Sequence, residues 1–332
     1  MLFYKNNLHS YYTHVYIYST GFKMSAISKV GLAGFSIFGV ILLKHYLRGR
    51  QYKGKVRLDG KTVIITGANG GLGKATAKEL ALRGAKVIMA CRNLDKAHAA
   101  RDEILLDVGG RKHCDGSLEI MLLDLASFES IKSFVEEVNA RCDKVDILIN
   151  NAGVYSPTRQ ETDDGLELTI GVCHFGHFML TALLLNKLEV SSQGRIIFVS
   201  SNGHFRHKQI DFDDIMWSST KYSGIGAYHQ SKLANVLCTR ELAKRLSDTR
   251  VTVNCLHPGH ANDDFFRNAP FRETVFERVI LYPLKTLMLK SPEDGVHTIL
   301  RLALDPNLKT VSGKYFRFEH VFSWIFIFLF FY

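Results

Sequence analysis

Residues 62–73 read Thr-Val-Ile-Ile-Thr-Gly-Ala-Asn-Gly-Gly-Leu-Gly. A short apolar strand that runs into glycines and then into a helical pattern predicts a cradle for phosphate groups at a helix N-terminus. The glycines at 67, 71 and 73 are spaced Gly-x-x-x-Gly-x-Gly, which differs from the ordinary dinucleotide fingerprint Gly-x-Gly-x-x-Gly. The candidate cofactor-binding residues of this loop are Gly67, Asn69, Gly71, Leu72 and Gly73.

From residue 58 onward, short apolar segments alternate with helical patterns. The predicted strands cover residues 61–65, 86–90, 119–123, 145–149, 195–199 and 250–255. Strands of this kind, separated by helices, are typical of a parallel sheet that is covered on both faces. The pattern therefore predicts an α/β fold, with one doubly wound Rossmann-type domain over residues 58–318.

The charge distribution separates two classes of partner. A net charge of +10 in 332 residues is compatible with nucleic acid, but the basic residues form no recognition helix and no patch interleaved with aromatic residues. Six of them instead crowd beside an apolar segment, which is typical of a membrane flank. These six are Lys44, Arg48, Arg50, Lys53, Lys55 and Arg57. We predict a membrane partner and no nucleic-acid partner.

The cysteines and histidines indicate no metal centre. The six cysteines form no Cys-x-x-Cys pair, which is typical of reduced thiols in a cytosol-like compartment. The pairs His174/His177 and His204/His207 have a spacing of three residues but no nearby cysteine or acidic ligand set. We predict packed or surface histidines at these positions.

The segment before the Rossmann-type domain is predicted to be a membrane anchor. Residues 30–43 carry no charge, and extension to residue 26 brings the segment near the roughly 20 apolar residues that a span needs. We predict an anchor helix over 26–47 and a basic flank over 48–57, with an ordinary buried helix as the alternative. The positive flank places the following domain on the cytosolic side. Endoplasmic reticulum and mitochondrial membranes both fit, and we favour the former.

The sequence assigns no function to either end of the chain. Residues 1–25 are rich in tyrosine, and no physical argument gives this extension a role. Residues 319–332 form a hydrophobic tail whose uncharged part is too short to cross a bilayer as a helix.

Three further groups of residues carry chemistry. Asn150-Asn151-Ala152-Gly153 closes the predicted fourth strand, Ser200-Ser201 ends the fifth, and Tyr228 precedes Lys232 by four residues in a helical pattern. That spacing puts Tyr228 and Lys232 on one helical face. A cation beside a phenol favours the phenolate and lowers the tyrosine pKa from about 10 toward neutral pH. Tyr228 could then exchange a proton with an alcohol or a carbonyl.

The ordered set resembles the short-chain dehydrogenase/reductase family over roughly residues 58–318. The stretches 58–67, 176–178 and 231–235, together with Ser-Gly-Lys-Tyr-Phe at 312–316, resemble its retinol dehydrogenase branch. The resemblance implies a membrane-anchored enzyme that uses NADP(H), often a homodimer formed through the helix that bears Tyr228. It also implies that Lys232 holds the nicotinamide ribose and that Ser201, rather than Ser200, contacts the substrate oxygen. The remaining cofactor positions that it implies are Asn151, Ala152, Gly153, Pro258 and Gly259.

Charge also bears on the choice of cofactor. NAD-specific relatives place an acid at the end of the second strand to bind the ribose 2′-hydroxyl. Here that strand ends Ala90-Cys91-Arg92-Asn93, without an acid. Arg92 can face a 2′-phosphate, and Lys74 adds a second cation. Asp124 matches the position that contacts adenine in the family, with a helix cap as the alternative. We predict NADP(H).

The chain departs from the family pattern at two places. Cys173 stands where the family has a catalytic asparagine, and a thiol is a poor substitute for an amide that holds a water. We therefore predict a weakened proton relay. After His257-Pro258-Gly259 the chain reads His-Ala-Asn-Asp-Asp at 260–264, where the family has a threonine that contacts the nicotinamide side.

These observations favour an NADP(H)-dependent oxidoreductase that interconverts an alcohol and an aldehyde or ketone on a lipophilic, retinol-like substrate. Ser201, Tyr228 and Lys232 are the candidate catalytic residues. The alternative, raised by Cys173, is a cofactor-binding relative with weak or no catalysis.

Overall fold

The computed structural model describes residues 51–109, 116–207, 209–259 and 290–317. Seven strands form one parallel sheet in the order β3-β2-β1-β4-β5-β6-β7. The strands are β1 (Thr62–Thr66), β2 (Lys86–Cys91), β3 (Ser117–Leu122), β4 (Ile147–Asn150), β5 (Arg195–Val199), β6 (Thr252–His257) and β7 (Tyr315–Arg317). The predicted Rossmann-like α/β fold is confirmed.

Helices cover the two faces of this sheet. They are α1 (Gly71–Ala81), α2 (Leu94–Val108), α3 (Phe128–Arg141), α4 (Leu168–Ile170), α5 (His177–Leu183), α6 (Leu185–Glu189), α7 (Gly224–Arg245), α8 (Pro292–Gly295) and α9 (His297–Leu304). A π-helical turn, Gly171–Gly176, joins α4 to α5. Short 3-10 helices cover Asn202–Arg206 and Pro306–Leu308.

Alternation along the strands builds two cores. Val63 and Ile65 of β1 point to one face and pack with α1, α2 and α9, whereas Ile64 points to the other face and packs with α3 and α5. Side chains with a period of two reach both faces, so a strand between two helical layers must be apolar throughout. Tyr52 and Val56, within the predicted basic flank, also pack against the first core.

The observed strand boundaries differ from the predicted ones where tertiary hydrogen bonds, and not the local sequence, determine the strand. The prediction for β5 coincides with the strand, but β4 begins at Ile147 because the Val145 amide donates to Lys187 O outside the sheet, at 3.0 Å. The three-residue strand β7 was not predicted, because its pairing with β6 defines it rather than its own sequence.

The membrane prediction falls on residues that the structure does not describe. The anchor over 26–47, the extension over 1–25 and the tail over 319–332 lie outside the described ranges, as does the first part of the basic flank. Among the helices that are described, none combines the length and the apolar character required to cross a bilayer.

Candidate cofactor and catalytic site

The predicted site residues gather at the carboxyl edge of the sheet. The strand order reverses between β1 and β4, and in open α/β sheets the crevice at such a reversal is where ligands bind. One predicted residue follows each of six strands: Gly67 after β1, Arg92 after β2, Asp124 after β3, Asn151 after β4, Ser201 after β5 and Pro258 after β6.

The glycine loop forms a tight cradle at the start of α1. Gly67 and Gly71 have φ angles of 66° and 48°, which side chains other than hydrogen rarely allow. A Cβ on Gly73 would lie 2.2 Å from Gly67 O, so only glycine fits there. Gly70 caps the helix without a side-chain hydrogen bond, and the first turn carries no acid. Backbone N–H groups and the positive end of the helix dipole are thus available to an anion.

Two other members of the loop contribute differently. The Leu72 side chain is buried in the core, so any contact with a cofactor would come from its backbone. Asn69 is half-buried, and backbone hydrogen bonds of Ala68 and Asn69 reach Cys91 at the end of β2. Burial raises the pKa of the Cys91 thiol to about 11, so the thiol is neutral beneath the loop and does not repel a phosphate.

The turn after β4 is tied to the end of β1. The amides of Asn151 and Ala152 both donate to Thr66 Oγ1 at 2.9 Å, and Asn151 Nδ2 donates to Thr66 O at 2.9 Å. Ala152 also lies against Gly67, whose missing side chain leaves room for it. Gly153 is exposed beyond this turn. The two turns that flank the crevice therefore form one hydrogen-bonded unit.

The three charged candidates differ in their surroundings. Arg92 has 69% of its side chain exposed and lies 3.8 Å from Asp124 across the ends of β2 and β3. Asp124 Oδ1 also accepts a hydrogen bond from Ala126 N at 2.9 Å, so it shapes the turn before α3 as well. Lys74 is in an ion pair with Glu103 on α2. Both cations therefore have an acidic partner, and Arg92, whose side chain is the more exposed of the two, is the better candidate for a 2′-phosphate.

Tyr228 and Lys232 lie on the same face of α7, as their spacing predicts. The Lys232 ammonium is 5.5 Å from the centroid of the Tyr228 ring. Lys232 is only 4% exposed, and its Nζ donates to Val199 O, at the end of β5, at 2.9 Å. A buried ammonium must be hydrogen-bonded to be tolerated, and this bond fixes where the charge stands. The positive charge is therefore held beside the phenol.

The structure separates the two serines at the end of β5. The Ser200 hydroxyl is buried and donates to Lys232 O at 2.9 Å, so it ties α7 to the sheet. Ser201 is half-buried, and its Oγ accepts a hydrogen bond from Gly203 N at 3.1 Å. Gly203 in turn packs against His229, the neighbour of Tyr228. The turn after Ser201 thus contacts the helix that carries Tyr228 and Lys232.

Cys173 lies in the π-helical turn and is completely buried. Its Sγ accepts from Val154 N at 3.3 Å and donates to Val154 O at 3.5 Å, just after the Asn151–Gly153 turn. Its carbonyl accepts from Asn235 Nδ2 on α7 at 3.0 Å. Single π-helical turns are frequent at functional sites. The residue that departs from the family pattern therefore occupies a junction between the cofactor crevice and α7.

The last predicted positions end β6. Pro258 and Gly259 are buried, and Gly259 has a φ of 95°, which turns the chain sharply after the strand. The departure from the family pattern at residues 260–264 lies outside the described residues.

Sequence reasoning missed three polar residues that organise the site: Thr66, His177 and Asn235. His177 is 1% exposed, and its Nε2 lies 2.8 Å from Thr66 Oγ1. Asn235 Oδ1 lies 2.9 Å from His174 Nδ1. Thr66 adjoins the glycine loop, and Asn235 is one turn beyond Lys232, so proximity in sequence was an available signal for these two. No local signal links His177 to Thr66.

The fold, the glycine loop and the Tyr228–Lys232 pair together define a short-chain dehydrogenase, and the chain belongs to that family. Residues 61–272 match the family described as short chain dehydrogenase. Human retinol dehydrogenase 13 is 45% identical over 276 residues, which cover 83% of this chain and 82% of that protein. Mouse retinol dehydrogenase 14 is 42% identical, with 78% of each chain covered, and human retinol dehydrogenase 12 is 42% identical, with 82% and 83% covered.

Solved structures share the same architecture. A protein from Mycobacterium paratuberculosis is 36% identical with a TM-score of 0.60, over 77% of this chain and 81% of that one. A Beutenbergia cavernae protein, described as an NAD(P)-dependent gluconate 5-dehydrogenase with bound NADP, is 26% identical with a TM-score of 0.61. The match covers 80% of this chain and 98% of that protein.

Proposed function

We propose that this protein is an NADP(H)-dependent oxidoreductase that interconverts an alcohol and an aldehyde or ketone on a lipophilic, retinol-like substrate. One observation carries the proposal: the buried Lys232 ammonium stands 5.5 Å from the Tyr228 ring, on a helix that contacts the turn after Ser201. A cation that is fixed beside a phenol makes that phenol an effective proton donor and acceptor.

The cradle at the start of α1 fits a dinucleotide. The close approach of Gly73 to Gly67 O and the helix start without a side-chain cap leave space and backbone donors for a pyrophosphate. We assign cofactor binding to the glycine loop, to the turn formed by Asn151, Ala152 and Gly153, and to Pro258 and Gly259 beyond β6. A nicotinamide cofactor held by these residues would supply or take up the hydride of the reaction.

The residues of the chain handle the proton. Tyr228 Oη donates a proton to the carbonyl oxygen in reduction and accepts it from the alcohol in oxidation. The Lys232 ammonium, held by Val199 O, stabilises the phenolate that remains. The Ser201 hydroxyl, oriented by Gly203 N, donates a hydrogen bond to the same substrate oxygen. This division of roles leaves Ser200 as the residue that anchors α7.

The alternative of a cofactor-binding relative without catalysis is not favoured. Ser201, Tyr228 and Lys232 are all present, and the relatives found at 40–45% identity are named as retinol dehydrogenases. These names also support a lipophilic alcohol or aldehyde as the substrate.

Arg92 is the main support for NADP(H) over NAD(H). We expect Arg92→Ala to weaken NADPH binding by about tenfold, the effect of losing one partly exposed charge-assisted hydrogen bond, with little change for NADH. Fluorescence titration with each cofactor measures this. Arg101→Ala, which removes a half-buried arginine that is also paired with an acid, is the matched control. Equal losses for NADPH and NADH would remove Arg92 from the 2′-phosphate site.

Cys173 is expected to limit turnover rather than binding. An asparagine can repeat both bonds that the thiol makes with Val154, through Oδ1 and Nδ2, and adds further capacity to hold a water. We therefore expect Cys173→Asn to raise kcat by about threefold or more at an unchanged KM for NADPH. Cys238→Asn, at a half-buried cysteine further along α7, is the control for nonspecific effects. An unchanged or lower rate in Cys173→Asn would refute the weakened relay.

We further propose that the chain is anchored in the endoplasmic reticulum membrane through residues 26–47, with the domain over residues 58–318 on the cytosolic side. We also propose that it pairs as a homodimer through α7. Exposed apolar side chains on α5 and α7 support the pairing. These are Phe178, Leu183, Ile225 and Leu237. Size-exclusion chromatography with light scattering in detergent distinguishes a dimer from a monomer.

The proposed activity is tested by following NADPH absorbance in membranes that contain the full chain. The substrates are all-trans-retinal and a panel of aliphatic aldehydes and ketones. We expect oxidation of NADPH with retinal to exceed that with short aliphatic aldehydes. Binding of NADPH without oxidation by any of these carbonyls would instead favour the noncatalytic alternative.

A further inference from the structure

We infer that His177 is a positioning residue that holds the cofactor-binding turn through Thr66, an inference that rests on the proposed use of NADP(H). His177 begins α5, behind the crevice, and is 1% exposed. None of the described hydrogen bonds of His177 reaches the candidate catalytic residues Tyr228 or Ser201. Its two ring nitrogens instead reach Thr66 Oγ1 at 2.8 Å and Cys173 O at 3.2 Å.

Counting donors and acceptors at Thr66 fixes the direction of these bonds. The two lone pairs of Thr66 Oγ1 are taken by the amides of Asn151 and Ala152, each at 2.9 Å. The hydroxyl proton must therefore be donated. His177 Nε2 at 2.8 Å is the closer acceptor, since Ile149 O is 3.5 Å away. His177 Nε2 is thus unprotonated and accepts.

The protonation of His177 Nδ1 follows from that of Nε2. With Nε2 as acceptor, the neutral ring carries its proton on Nδ1, which donates to Cys173 O. Burial, with the Lys232 charge as a lesser cause, lowers the pKa of His177 to about 3. The ring consequently keeps one tautomer and no charge at neutral pH.

The Cys173 carbonyl also connects His177 to α7. Cys173 O also accepts from Asn235 Nδ2 at 3.0 Å, which uses its second lone pair. Asn235 lies three residues after Lys232 on the same helix. A continuous chain of hydrogen bonds therefore runs from the Asn151–Ala152 turn through Thr66, His177 and Cys173 O to the helix of Tyr228 and Lys232.

Breaking the hydrogen bond between Thr66 and His177 should affect cofactor binding in particular. Without the His177 acceptor, the Thr66 hydroxyl can rotate toward Ile149 O. The amides of Asn151 and Ala152, which donate to this hydroxyl, then lose a fixed partner. The cofactor turn would then be less ordered before NADPH binds. The cost should appear in cofactor affinity and not in affinity for the carbonyl substrate.

The test compares variants of the full chain in detergent. His177→Phe keeps a ring at this position and removes both hydrogen bonds. Thr66→Val removes the hydroxyl that donates to His177, whereas Thr66→Ser keeps a hydroxyl there. The matched control is Thr181→Val. Thr181 lies one turn further along α5 and accepts a buried hydrogen bond from Asn150 Nδ2 at 2.9 Å, next to the cofactor turn but not within it. His177→Leu, which also removes both bonds, is a second substitution in case His177→Phe does not fold.

We expect His177→Phe and Thr66→Val each to raise the Kd for NADPH about tenfold or more, while Thr181→Val changes it less than about twofold at a similar loss of Tm. Thr66→Ser should retain the affinity of the original chain. Adding His177→Phe to Thr66→Val should cost little more than Thr66→Val alone, because both act through one bond. The KM for the carbonyl should stay unchanged.

Two results would overturn the inference: a Kd for the His177 variants that matches that of Thr181→Val, or full additivity in the double variant. Failure of the proposed function looks different, because the original chain would then bind no NADPH or oxidise none of it with any carbonyl.

Discussion

Replacing Tyr228 with phenylalanine is expected to lower kcat for NADPH-dependent carbonyl reduction by about a thousandfold or more. The substitution removes only the hydroxyl that exchanges the proton, and general acid catalysis typically contributes a factor of this order. The ring stays in place, with the Lys232 ammonium 5.5 Å from its centroid. We therefore expect the Kd for NADPH to change less than about threefold. Steady-state rates with retinal and fluorescence titration of NADPH measure the two quantities.

Tyr222 provides the control for this substitution. Its hydroxyl donates to Glu167 Oε1 at 2.9 Å. Burial, together with the Glu167 charge, raises the pKa of Tyr222, so this hydroxyl stays protonated. Tyr222→Phe should lower stability by about 1–2 kcal/mol but leave kcat within about threefold. Turnover retained in Tyr228→Phe would exclude Tyr228 as the proton donor.

Replacing Gly73 with alanine is expected to abolish measurable NADPH binding. The added Cβ would lie 2.2 Å from Gly67 O and 2.7 Å from Asn151 Nδ2, which is far inside van der Waals contact. The backbone of the loop must move, and with it the amides that would bind the pyrophosphate. We expect the Kd for NADPH to rise at least about a hundredfold, since several hydrogen bonds to a charged group are lost together. Isothermal titration calorimetry measures this change.

Gly70 is the matched control in the same loop. It has an extended backbone with φ −168°, and a Cβ there would meet no atom within 4 Å. Gly70→Ala should therefore bind NADPH within about threefold of the original chain. If Gly73→Ala binds NADPH as Gly70→Ala does, the cofactor does not lie on this loop.

Local pattern was sufficient for most of the sheet. The strand β5 consists of Arg195 followed by four apolar residues, and its predicted limits coincide with the strand. The helix α1 begins at Gly71, within the glycine loop, because the Lys74 amide already donates to Gly70 O at 3.1 Å. β7 could not be predicted, since three residues carry no period and the strand exists only through its register with β6.

Tertiary partners account for what the sequence left open at the site. His177 and Thr66 are 111 residues apart, and only the packing of α5 behind β1 brings them together. The adjacent serines 200 and 201 are equivalent as residue types, and their burial distinguishes them. Lys74 is a predicted cofactor residue, and the packing of α1 against α2 also brings it into an ion pair with Glu103. Such pairings depend on how elements dock and carry no local signal.

Transfer of deuterium tests the central claim most directly. The full chain in membranes is incubated with all-trans-retinal and NADPH labelled with deuterium on each face of C4 in turn, and the product is analysed by mass spectrometry. The proposed function predicts retinol that carries one deuterium from one of the two labelled cofactors, with no such product from Tyr228→Phe. Retinol without deuterium from either cofactor, or no reduced product from retinal and the other carbonyls, would contradict it.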